Sequence, residues 1–186
     1  MTTLAADPVL DALVRAAADT VGAPHGILVR HEGEVLRVVA TAGDQAHALR
    51  GHRTPVHAGV AGYVLASGQP LALSVQPGDP RLQEGVTAAL PQPPATVLCV
   101  PCASEEEVTG ALLLLDKAGG PFTFDDVELA TVLAGIAGVA LAGDGAAGGQ
   151  VPDPSELGGE LDRLFRTDPG RYSLVATLVQ ALLARG

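Results

Sequence analysis

The chain is short of positive charge. Lys117 is its only lysine, and 11 Lys and Arg stand against 21 Asp and Glu, a formal charge of −10. Binding a nucleic-acid backbone takes a basic face that displaces counterions, and scattered arginines do not supply one, so nucleic acid is not an expected partner. Aromatics are scarce as well, at 3% with no tryptophan. That leaves little stacking surface for a large planar cofactor such as haem or flavin. Two cysteines in 186 residues do not make a disulfide scaffold. The N-terminus lacks a basic region followed by an apolar run. The longest apolar run, Leu129 to Gly143, falls short of the roughly 20 residues that cross a bilayer. A soluble, cytoplasmic protein with no membrane partner is the expectation. Apolar residues are abundant, at 47%, enough at this length to bury a core without covalent staples. One domain of ordinary size plus an extension follows.

The stretch from Thr96 to Gly143 organises the rest. Thr96 to Ala103 (TVLCVPCA) and Thr109 to Leu115 (TGALLLL) are apolar runs that read as buried strands, with the acidic connector Ser104 to Glu107 as an exposed hairpin tip. Asp116 to Pro121 (DKAGGP) breaks the sheet. Thr123 then opens a helix with Asp126 three residues on, close to a capping box, and Asp125, Asp126 and Glu128 favour the positive end of the helix dipole. From Val127 to Leu141 the helix is apolar almost all round, with Gly135 and Gly138 allowing close approach, so other helices must cover it.

Upstream, Asp7 and Pro8 open a helix whose stripe is Leu10, Leu13, Val14, Ala17 and Val21, and Gly22 stops it. His25 to His31 and Val35 to Ala42 form a hairpin turning at Glu32-Gly33-Glu34. Gly43 to Ala58 is polar and reads as a loop or short irregular strand. Val60 to Ser67 is a short helix closed by Gly68, and Pro70 to Val75 a strand. Gln76 to Pro94 contains Pro77, Gly78, Pro80, Pro91, Pro93 and Pro94 on either side of one helical turn at Leu82 to Leu90, a long excursion over the surface.

This order resembles the GAF domain, a small-molecule sensory and regulatory module. The residues that carry the resemblance are Gly59-Val60-Ala61-Gly62-Tyr63-Val64, Ser67-Gly68-Gln69-Pro70-Leu71, Asp79-Pro80-Arg81, Val100-Pro101, Gly110 and Phe122-Thr123-Phe124-Asp125-Asp126. They span about Leu10 to Leu141. The resemblance implies an α+β fold: a central antiparallel sheet of five or six strands, the first and last helices on one face, and a ligand pocket under the short helix and proline-rich loop on the other. It also implies a pocket lining drawn from Tyr63, Leu73, Asp79, Arg81, Leu82 and Cys99, with the ligand unnamed. Tyr63 can present its hydroxyl there, although the ordinary place for such a tyrosine is the core. Arg81 can meet an anion, although Asp79 beside it makes a local solvated pair.

Cys99 and Cys102 form a C-x-x-C within a strand, where three residues span roughly 10 Å, beyond the roughly 7 Å that a disulfide bridges. Their thiols face opposite sides of the sheet, as buried inert groups. His47, His52 and His57 lie five apart with no accompanying Cys, Asp or Glu at a recognised metal spacing except Asp44, a weak signal for zinc or haem, and no metal is assigned. Free methionine-R-sulfoxide reductases share the GAF fold and use cysteines and pocket acids. Here Cys99 lies inside the strand rather than in the loop before it, and the acid positions fall at Leu113 and Leu115. Bilin-binding members need a cysteine beside a histidine, which this chain lacks. Asp116-Lys117, Phe122 and Asp126 partly echo a cyclic-nucleotide signature, but they also serve a generic helix start.

Beyond Gly143 the composition shifts to a Gly, Ala and Pro linker at 144–154, followed by an extension at 155–186. Ser155 is expected to cap a helix carrying Leu157, Leu161, Leu164 and Phe165. Asp168-Pro169-Gly170 then turns the chain into a last helix with Leu174, Val175, Leu178, Val179, Leu182 and Leu183. A two-helix hairpin cannot bury such stripes alone, so they must meet the domain's helices or a second copy. The expectation is a GAF-like domain at 1–143 that is not an enzyme, binds an unidentified small molecule, and signals as a homodimer through its terminal helices or to a partner protein. The alternatives are a thiol redox enzyme of the methionine sulfoxide reductase type and a ligand-free dimerisation scaffold.

Overall fold

The computed structural model describes residues 7–76, 78–104, 107–143, 154–167, 169–170, 172–173 and 175–176. The chain divides into two compact units, Met1–Gly145 and Ala146–Gly186.

Strand β6 (Glu107–Leu115) sits near the middle of a six-stranded sheet, and from Gly110 to Leu115 every residue is buried. A strand that is apolar on both faces has to be covered on both. It pairs antiparallel with β1 (His25–Glu32) on one side and β5 (Thr96–Ser104) on the other. β2 (Val35–Ala42) and β3 (Arg53–Pro55) extend the sheet beyond β1, and β4 (Leu71–Ser74) beyond β5. The order is β3-β2-β1-β6-β5-β4. Helices α1 (Pro8–Val21) and α5 (Phe124–Gly143) cover one face, where Leu28, Leu98, Leu112 and Leu114 meet Leu10, Val14, Leu133 and Ala137. The other face carries α2 (Asp44–His47), α3 (Gly59–Ser67), a 3-10 turn (Pro80–Leu82) and α4 (Gly85–Ala88) over Ile27, Val29, Leu36 and Leu113. Burying one leucine contributes about 1.5–3 kcal/mol, so the four successive leucines of β6 anchor both layers.

The polar stretch at 43–58 therefore holds α2 and β3 rather than a plain loop, and the proline-rich excursion holds the 3-10 turn and α4. Strand alternation fails at two bulges. In β2, Leu28 pairs with Ala40 and Val29 with Val38, so Val39 is extra. Its carbonyl accepts from Arg50 Nη1 at 2.9 Å, and Arg50 also ion-pairs with Asp11 on α1. In β6, Cys102 pairs with Gly110 and Ala103 with Val108, so Thr109 is extra.

The start of α5 forms the box that Thr123 and Asp126 predict. Asp126 Oδ2 accepts from the Thr123 amide at 2.6 Å and hydroxyl at 2.9 Å, while the Asp126 amide reaches Thr123 Oγ1 at 3.4 Å. Lys117, the lone lysine, pairs with the same carboxylate. Burial pushes the Asp126 carboxyl up, but the Lys117 and Thr123 bonds together outweigh it and hold it below the usual carboxylate range.

The second unit contains α6 (Pro154–Thr167). The helix begins one residue before the expected Ser155 cap, with Pro154 in the first position, where a missing N–H costs nothing. Pro169 and Gly170 are helical, not the turn expected there. Phe165 and Tyr172 meet edge to face at 5.1 Å. The linker at 144–153 and most of the last leucine stripe lie outside the described residues. No described helix is long and apolar enough to cross a membrane.

The two α5 glycines differ. A Cβ at Gly138 would stand 2.2 Å from the Ala103 carbonyl oxygen, whereas one at Gly135 would meet nothing within 4 Å, so only Gly138 serves close approach. Gly138→Ala is expected to destabilise by about 1–3 kcal/mol, and Gly135→Ala to stabilise by up to about 1 kcal/mol, both read by chemical denaturation. The buried Thr54 hydroxyl, opposite Leu36 on the α2–α4 face, has no hydrogen-bond partner. Thr54→Val is expected to stabilise by about 1 kcal/mol in the same assay.

Candidate functional site

Helix α3 is apolar, and Val60, Ala61 and Val64 go down onto the sheet. Its first turn is pressed against a second chain segment. At Gly59, with φ +64°, a Cβ would lie 2.4 Å from the Glu84 carbonyl oxygen, and at Gly85, with φ +71°, one would lie 2.6 Å from that of Ala58. Two left-handed glycines thus let backbone cross backbone where α3 and α4 begin.

This crossing leaves clefts on either side of Tyr63. The smaller, about 370 Å³, is lined by Gly59, Val60, Tyr63, Leu71, Pro80, Arg81 and Glu84. The larger, about 620 Å³, is lined by His31, Val56, His57, Gly59, Gly62, Tyr63, Leu65, Ala66, Glu107 and Val108. Tyr63 is 58% exposed, not a core residue, and belongs to both. Helical phase explains this: Val60 and Val64 take the inward positions, so Tyr63 falls on the outer side.

Arg81 contributes to the smaller cleft while gripping Asp79. Arg81 Nε donates to Asp79 Oδ1 at 2.9 Å and Nη2 to Oδ2 at 2.6 Å, and Oδ1 also accepts the Arg81 amide at 3.0 Å. The guanidinium, then the amide, lowers the Asp79 carboxyl to about 2, and the guanidinium rises in turn. Two of the five guanidinium donors are used, which leaves Nη1 for another acceptor.

The other expected lining residues lie elsewhere. Leu82 is buried in the layer beneath α3 and α4, and Leu73 packs half-buried against that layer. Cys99 is fully buried in the same layer and lines neither cleft, while Cys102 faces the α1–α5 core. The strand does turn the two thiols to opposite faces, and burial pushes both well above the ordinary thiol range. Among the described residues no three His, Cys, Asp or Glu side chains gather as metal ligands. Sequence reasoning missed Leu71, Glu84, His31 and Glu107. Strand register was the available signal: β4 pairing sets Leu71 beside Cys99, and Glu107 opens the strand that borders β1.

Fold and clefts together define a two-faced α+β domain whose short helices frame surface sites. The chain belongs to the GAF domain family, whose model matches residues 6–141. Solved structures with a similar fold include the GAF-B domain of DevS from Mycobacterium smegmatis, 24% identical over 73% of this chain and 93% of that one, with a TM-score of 0.54. The GAF domain from Acinetobacter phosphoenolpyruvate-protein phosphotransferase is 17% identical over 80% and 89%, with a TM-score of 0.66. The type II free methionine-R-sulfoxide reductase from Thermoplasma acidophilum is 14% identical over 73% and 94%, with a TM-score of 0.56. At such identities the likeness is one of fold. No curated protein matches the chain.

The Asp79 pair has a signed pH consequence. A depressed carboxyl stabilises the fold above the ordinary value of 3.8 and loses that contribution as pH falls towards about 2. Carbon-detected NMR titration is expected to place the Asp79 midpoint near 2, and Arg81→Met to return it towards the ordinary range.

Proposed function

We propose that the chain is a sensory or regulatory GAF domain, not an enzyme, that binds a small molecule in the smaller cleft. The arrangement that carries this reading is a single cleft whose lining combines apolar Val60, Leu71 and Pro80 with Tyr63, Arg81 and Glu84. A volume of about 370 Å³ suits a metabolite-sized ligand. The chemistry favours an amphipathic ligand with an acceptor for Arg81; because Asp79 already pairs with Arg81 and Glu84 adds a second carboxylate to the lining, the ligand need not be anionic. Signalling runs through α1 and α5, where Val9, Phe124 and Val139 are 66%, 74% and 63% exposed and suit a second copy or a partner protein. The ligand has to bind one helix arrangement better than the other, or occupancy moves nothing. A cytoplasmic location fits this role.

One observation favours the dimerisation scaffold as a second reading: side chains such as Ile27, Val29, Val64 and Leu113 fill the layer between the sheet and α3. The thiol-enzyme reading has weaker support, because both thiols are buried on opposite faces with raised pKa values. Native mass spectrometry of the chain purified from its own host is expected to show a dimer carrying an adduct that Arg81→Met loses. A bare dimer favours the scaffold. A bare monomer overturns both readings, and methionine sulfoxide reduction that is lost in Cys99→Ser would restore the enzyme.

A further inference from the structure

The larger cleft, on the far side of Tyr63, has a charge character of its own. Its polar groups among the described residues are His31, His57, Tyr63 and Glu107, and no described lysine or arginine lines it. His31 Nε2 bonds its own turn at the Gly33 carbonyl, 2.8 Å away. When neutral, the ring is thereby an Nε2–H tautomer with Nδ1 left as an acceptor. Glu107 and His57 make no hydrogen bond or ion pair among the described residues. The Glu107 carboxylate, acceptor nitrogens and the apolar Val56, Leu65 and Val108 border an open cleft of about 620 Å³. The complement to that surface is a positive donor group on a short apolar body.

The wall of this cleft is also tied to α5. Because Thr109 is the extra residue of the β6 bulge, the chain puts Val108 into the cleft and turns the neighbouring Thr109 the other way. The Thr109 hydroxyl lies 3.0 Å from the Cys102 carbonyl and 3.2 Å from the Gly138 carbonyl of α5. Gly138 in turn rests directly on the Ala103 backbone. Displacing Glu107 and Val108 therefore pulls on a hydroxyl that holds the helix.

We propose that the larger cleft is a second ligand site, selective for a small organic cation such as an alkylammonium, and that Thr109 passes its occupancy to α5. The test is NMR titration of the full chain with n-butylammonium, with n-butyrate as the charge-reversed control. The expected result is a saturable shift at the Val108 and Gly138 amides with the amine and none with the acid. Glu107→Gln weakens amine binding at least tenfold, and Arg81→Met, in the other cleft, leaves it unchanged. Thr109→Val keeps the shift at Val108 but loses the one at Gly138, and Thr109→Ser, which retains the hydroxyl, restores it. No saturable shift, equal binding of butyrate, or indifference to Glu107→Gln would overturn the site. A Gly138 response that survives Thr109→Val would overturn the coupling.

Discussion

The first unit depends on one constraint: its central strands have to be dry on both faces. β6 offers no polar side from Gly110 to Leu115, and β1 is buried through Ile27, Leu28 and Val29. A hairpin sheet with one solvated face cannot accommodate them. The chain meets the demand with material from both ends. α1 and α5 come from opposite ends of the unit to close one face, while the connections between β2 and β5 fold over the other.

Closing a sheet on both faces leaves little freedom inside, so variation collects where the regular pattern is broken. Both bulges are held by hydrogen bonds from side chains, Arg50 donating to the Val39 carbonyl and Thr109 sharing its one hydroxyl proton between the carbonyls of Cys102 and Gly138. Each of these side chains joins a strand irregularity to a helix, Thr109 directly to α5 and Arg50 to α1 through Asp11. Glycine has the matching role in the backbone. Gly138 brings α5 onto β5, and Gly59 with Gly85 brings α3 onto the start of α4. Both clefts border Gly59, where α3 crosses the start of α4.

Much of this was legible in advance. The two apolar runs of Thr96 to Leu115 and the acidic connector between them predict the β5–β6 hairpin, and Thr123 with Asp126 predicts the α5 start, because strand composition and capping are local properties. Opposite facing of Cys99 and Cys102 follows from the same period of two. Less was legible at the site. Tyr63 and Arg81 were visible through their glycine and proline context, but Leu73, Leu82 and Cys99 lie in or against the packed layer, and Leu71, His31 and Glu107 were missed. Which side of a short apolar helix faces out depends on the helix's rotation over the sheet. In α3 nearly every residue is apolar, so composition cannot fix that rotation.

The sequence by itself determined the order of the longer elements, the apolar stripe of α1 and the capped start of α5, since each rests on residues close together in the chain, and the spacing of its motifs along Leu10 to Leu141 marked the family. The tertiary structure decided which glycine lets a helix approach, which residue becomes the bulge and which polar groups share a cleft. Those outcomes turn on contacts between segments far apart in sequence. Gly135 and Gly138 occupy one helix three residues apart, yet only the backbone of Ala103, brought in by the sheet, distinguishes them.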